Sequence, residues 1–202
     1  MRNLIYVPVV HTALDMGSLG GQVERLYRAR FGAEKWQAHG RIIQEMWGGI
    51  TERLSALQLD FAHVRLYQDG LPVCGKEEQI VRDLAARGSL NHRLVAQLME
   101  RGARLMGTES PELLLREYHL VKSQLSAGQA CPPSPPDRLA ADPTLRARDE
   151  FVAARIAATL AEGETGVLFM GLAHAVQRYL PPDIQLQLLI HRLPFGTGVA
   201  QS

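Results

Sequence analysis

Two histidines and two carboxylates stand where apolar runs of this chain end. The run from Leu4 to Val10 delivers His11, and "GVLFMGLAHAV" (166–176) passes Gly171 and then offers His174. The stretch "AHVRLYQDG" (62–70) closes on Asp69, and "ARLMGTES" (103–110) delivers Glu109. Imidazole together with carboxylate suits a divalent transition metal such as Zn, Mn or Co, with a position left open for water. Water bound there attacks an ester or amide near neutral pH. The spacing therefore predicts His11, His174 and Asp69 as metal ligands, with Asp69 or Glu109 as third ligand or general base. Arg148, in "RARDE" (146–150), is the candidate clamp for an oxyanion or a substrate carboxylate. The bland alternatives are a structural histidine at a strand end, a plain turn at Asp69-Gly70, and dipole stabilisation of a helix by Glu109. Four such residues at matching strand ends weigh against coincidence.

The elements that must position these groups alternate along the chain. Residues 3–10, 62–70, 103–110, 165–171 and 183–191 read as strands: short, apolar and bounded by glycine, proline or aspartate. Helical periodicity fills the spaces between them. "GQVERLYRARFG" is closed by Gly32, and the next helix carries Trp36, Ile43, Trp47, Ile50, Leu54 and Leu57 on one stripe, with a break or kink at Gly48-Gly49. Two helices ending at Gly88 and Gly102 follow, the second capped by Ser89 or Asn91. Ser110-Pro111 and Asp142-Pro143 open two more, and a short helix is expected from Ala173. Arg148 is expected near the start of the helix that leads into the fourth strand. Strands separated by helices predict an α/β fold: a three-layer domain, 1–202, with a mostly parallel central sheet flanked by helices. Ligands of such sheets sit beyond the carboxyl ends of the strands. The proline-rich segment at 126–144 reads as a loop or lid.

Composition narrows the function classes. The chain has 202 residues, 22 basic against 21 acidic, and 46% hydrophobic content, so no global field favours nucleic acid or an anionic membrane. No apolar stretch is long enough to span a bilayer, and the start lacks the cleavage site of a signal peptide. Two cysteines, Cys74 and Cys131, make no disulfide framework and no CxxC metal site. A cytoplasmic protein with a small-molecule or peptide substrate is the expectation, and a homo-oligomer is compatible with it. "GSLGG" (17–21), with Ser18, could cradle an anion of the substrate at the following helix N-terminus. Asp15 reads as a loop residue or cap. His39, His63, His92 and His119 lie on helices or mid-strand without partner spacing, and read as core or surface residues.

The C-terminal block "RDEFVAARIAATLAEGETGVLFMGLAHAVQRYL" resembles the closing block of the TraB/ChaN/erythromycin-esterase-like superfamily: an Arg-led helix, a strand, then GxxH. Arg148-Asp149 matches the Arg-led start and Gly171-Leu172-Ala173-His174 the GxxH. The superfamily's first GxxH follows its opening strand, where this chain has Pro8-Val9-Val10-His11, so the glycine is replaced and the histidine kept. Where the superfamily shows a Glu after its second strand, this chain has Asp69. The resemblance covers about 70 residues at the two ends. It implies an α/β fold and, in some members, metal-dependent hydrolysis of peptides or esters; other members bind haem or regulate without known chemistry. The sequence thus predicts a divalent-metal-dependent hydrolase of an ester or amide. The alternative is a non-catalytic protein that binds an anion or haem in the same place or serves regulation.

Overall fold

The computed structural model describes residues 1–10, 15, 19–126 and 142–191. Its centre is a five-stranded, all-parallel sheet of order β3-β2-β4-β1-β5. The strands are β1 (Arg2–Val9), β2 (Val64–Gln68), β3 (Arg104–Met106), β4 (Thr165–Gly171) and β5 (Ile184–Leu188). The helices are α1 (Gly20–Phe31), α2 (Ala33–Ala56), α3 (Glu77–Ala86), α4 (Leu90–Glu100), α5 (Pro111–Ser126) and α6 (Pro143–Thr159). The three-layer α/β architecture expected from the alternation of periods is the one observed.

β1 and β4 read as continuous apolar runs because helices cover both faces of the sheet. Ile5, Val7, Val9, Leu66, Val167 and Phe169 pack with Ile50 and Leu54 of α2 and with Leu94, Val95 and Leu98 of α4. The alternate residues Leu4, Tyr6, Tyr67, Leu168 and Met170 form a second core with Val152, Ala153 and Ile156 of α6. Connectivity explains the division. The chain moves β1→β2→β3 toward one edge through α1–α4, then returns β3→β4→β5 through α5 and α6. Crossovers of one hand that run in opposite directions must lie on opposite faces. Loops then leave neighbouring strands toward different faces and open a crevice at the carboxyl edge.

The local stops match the residues that cause them. Gly32, Gly88 and Gly102 take φ of 89°, 102° and 108° just beyond α1, α3 and α4, a region costly for residues with a Cβ. Ser89 caps α4 by accepting from His92 N, and Asp142 caps α6 by accepting from Thr144 N and Leu145 N.

Some expectations need correction. α2 runs unbroken through Gly48-Gly49, because Met46, Trp47, Ile50 and Leu54 on either side are all buried and that packing outweighs about 1 kcal/mol of lost propensity per glycine. Trp36 is only partly buried and packs instead on Tyr27 of α1. The short helix expected from Ala173 is a single 3-10 turn, Val176–Arg178, since Pro181-Pro182 follows too closely for more. Among the described residues, no helix is long and apolar enough to cross a membrane. His11, Ser18 and most of the expected lid (127–141) lie outside the described residues.

Candidate functional site

The exits of β2, β3 and β4 bring Asp69, Glu109 and His174 together, and α6 lowers Arg148 among them. The backbone beyond β2 turns at Gly70, φ 74°, so Asp69-Gly70 is both the turn its sequence suggests and part of the site. Pairing continues past the strands: Glu109 N donates to Leu71 O at 2.9 Å, and Val73 N donates to Glu109 O at 2.9 Å. Those bonds hold Glu109 where no solvent reaches it. Its position before the α5 helix therefore turns its carboxylate to the interior, where it meets Arg148.

Arg148 is the hub. Its Nε donates to Glu109 Oε2 at 2.7 Å, and Nη2 donates to Glu109 Oε1 at 2.5 Å and to Asp69 Oδ1 at 2.8 Å. Nη1 donates to Glu117 Oε2 at 2.5 Å. The Arg148 side chain is 5% exposed and that of Glu117 is 41% exposed. Arg148 does not sit at the helix N-terminus as expected: Asp142 is the cap, which places Arg148 in the second turn and aims it inward.

Past β4, His174 N closes a turn on Gly171 O at 3.0 Å. Gly171 takes no positive φ; its contribution is an N–H donated to Asp69 Oδ2 at 2.9 Å. The other ring face of the site is set by Asp149, which accepts from His174 Nδ1 at 2.6 Å and from Ala175 N at 2.8 Å. A carboxylate on Nδ1 makes that nitrogen the donor and leaves Nε2 toward the cluster, 3.7 Å from Asp69 Oδ2. One ligand atom from each of Asp69, Glu109 and His174 lies within 4.8 Å of the others.

The electrostatics follow from the inventory. Among the described residues, Asp69, Glu109, Glu117 and Asp149 face the guanidinium of Arg148 and the imidazole of His174. Burial raises the Glu109 carboxyl above its usual range, against the opposing pull of Arg148. Burial alone would lower His174, but its hydrogen bond to Asp149 and the charge of Asp69 outweigh it and hold the imidazole above its ordinary value. The Tyr6 hydroxyl is pushed up by burial and by the charges of Asp149 and Asp69. The site is an acidic pocket that favours added positive charge.

Over it opens a cavity of about 560 Å³ whose lining includes Asp69, Arg148, His174, Glu117, Asp15 and His92. Leu71, Ile80, Leu84, Leu114, Val121 and Leu145 supply apolar wall. Glu109 lies behind Arg148 and out of the lining. Of the residues singled out from the sequence, Asp69, Glu109, Arg148 and His174 thus converge on one site. Asp149, Glu117 and His92 were missed as site residues. Asp149 alone had a sequence signal, its adjacency to Arg148. No family model, curated protein or solved structure matches the chain.

Proposed function

We propose that this cavity is the active site of a divalent-metal-dependent hydrolase that cleaves an ester or amide of a small molecule or peptide. The observation that carries the reading is the buried convergence of Asp69, Glu109 and His174, with the His174 ring oriented by Asp149. The donor set fits: hard carboxylate oxygens and one imidazole, in a pocket with more carboxylates than cationic groups. His174 Nε2 and Asp69 would hold Zn, Mn or Co, with Glu109 as third donor where its carboxylate exchanges Arg148 for the ion, and His11 is a further candidate from the sequence. A divalent cation there supplies an acidified water and polarises the scissile carbonyl. The chain's own residues do the rest. Asp149 keeps the Nδ1 proton and with it the direction of Nε2. Gly171 N–H and Arg148 fix the Asp69 carboxylate. Arg148 Nη1 has the half-exposed Glu117 as its partner, so rotation of Glu117 into solvent would free that N–H for a substrate carbonyl oxygen. The resemblance to the TraB/ChaN/erythromycin-esterase-like superfamily, through Arg148-Asp149 and the GxxH ending at His174, supports the same reading.

A second reading is a pocket that binds a ligand without chemistry. It is favoured by the engagement of all three Arg148 nitrogens by carboxylates. The acidic balance opposes a free anion, whereas His174 Nε2 offers a donor to haem iron. Hydrolysis of p-nitrophenyl butyrate by protein purified without an affinity tag separates the two. Hydrolysis abolished by EDTA and restored by Mn or Zn is the expected result. Metal-independent background rates, with a Soret band on haem addition, would favour binding.

A further inference from the structure

A second imidazole faces the same cavity, from the other side of the sheet. Asp69 and His174 belong with the α6 face, whereas His92 stands in the first turn of α4, whose residues Leu94, Val95 and Leu98 pack on the opposite face. His92 is 5% exposed and lines the cavity with Leu71, Ile80 and Leu84.

Its hydrogen bonds determine its tautomer. Ser89 Oγ has one proton, which it donates to Asp15 Oδ1 at 2.5 Å. The same oxygen accepts from His92 N at 3.2 Å. Ser89 Oγ lies 2.7 Å from His92 Nδ1, and with its only proton already committed it can only accept there. Nδ1 therefore carries the proton. With Nδ1 turned to Ser89, Nε2 is the ring nitrogen left for the cavity, and in the neutral ring it carries a lone pair. Asp15 and Ser89 do for His92 what Asp149 does for His174.

We propose that His92 is a specificity residue: its Nε2 accepts a hydrogen bond from a hydroxyl or N–H that the substrate carries at the far end of an apolar segment from its scissile carbonyl. This rests on the hydrolase reading for the scissile end. The leucines and isoleucine that line the cavity with His92 suit the apolar segment, and a site built to receive a donor discriminates strongly against an analogue that lacks one. Asp15 and Ser89 are positioning residues for the ring.

The test uses pairs of p-nitrophenyl esters across a series of acyl lengths, each ω-hydroxyacyl ester matched to the alkyl ester with a methyl in place of the hydroxyl. At the fitting length the hydroxy ester is expected to have a kcat/KM at least about tenfold higher, and His92→Phe to abolish the difference while metal content stays unchanged. Ring ¹⁵N shifts of the wild-type protein are expected to report His92 protonated at Nδ1 and bare at Nε2, with Ser89→Ala losing that preference. Equal rates for each pair, a preference that survives His92→Phe, or an Nε2–H tautomer would overturn the inference and leave the hydrolase reading standing. Absence of hydrolysis of every ester in metal-loaded protein would overturn both.

Discussion

Arg148 and Glu109 form a two-pronged ion pair, 2.7 and 2.5 Å, with side chains 5% and 0% exposed. Removal of one partner leaves a buried charge uncompensated, which costs far more than the pair itself contributes. Arg148→Met is expected to lower unfolding stability by about 3–5 kcal/mol in denaturant titration, and Arg148→Met with Glu109→Gln to recover part of it. A loss below about 1 kcal/mol for the single variant would show that the pair is not buried as described.

Asp149 touches no cavity wall, yet it holds the ring of His174. Asp149→Asn is expected to weaken Mn or Zn binding by about ten- to a hundredfold in calorimetric titration, with the circular dichroism spectrum unchanged. Undiminished affinity would remove Asp149 from the account.

At the opposite, amino edge of the sheet, Arg65 Nε and Nη2 grip the Glu164 carboxylate at 2.5–2.9 Å. The bond from Arg65 holds the Glu164 carboxyl below its usual value, over the raising effect of burial. A depressed folded-state pKa means stability that is fully present above the unfolded value, about 4.3, and is lost as pH falls through the folded one. Glu164→Gln is therefore expected to be less stable than the parent at pH 7, with a gap that closes below about pH 4. A gap that is constant with pH would contradict this.

Two glycines separate close approach from helix propensity. A Cβ on Gly107 would lie 2.8 Å from Val73 Cα, whose own amide holds Glu109, so Gly107→Ala is expected to cost about 1–3 kcal/mol. A Cβ on Gly48 meets nothing within 4 Å on α2, so Gly48→Ala is expected to stabilise by about 0.5–1 kcal/mol. Thermal unfolding of the two variants side by side checks both signs.

Apolar runs that end abruptly in a histidine or carboxylate made the strands, and Asp69, Glu109 and His174 at their exits, legible in the sequence. Parallel strands place their exits on one edge whatever their order, so convergence followed from the fold class. Apart from Arg148, residues that act from helices were not legible as site residues. His92 and Glu117 sit in ordinary amphipathic patterns, and only tertiary packing turns them toward the cavity, while Ser89 was legible only as a cap of α4. Asp142-Pro143 was legible as the opening of α6, and counting from that cap puts Arg148 in the second turn. Asp149 was visible only as a neighbour of Arg148, since its partner His174 lies 25 residues on.

Metal content of untagged protein, measured by mass spectrometry after dialysis against Mn, Zn and Co, tests the central claim most directly. The account predicts bound metal in the wild-type protein and in His92→Gln, and its loss in Asp69→Asn and His174→Ala. Equal metal content in all four proteins, or none in any, would contradict it.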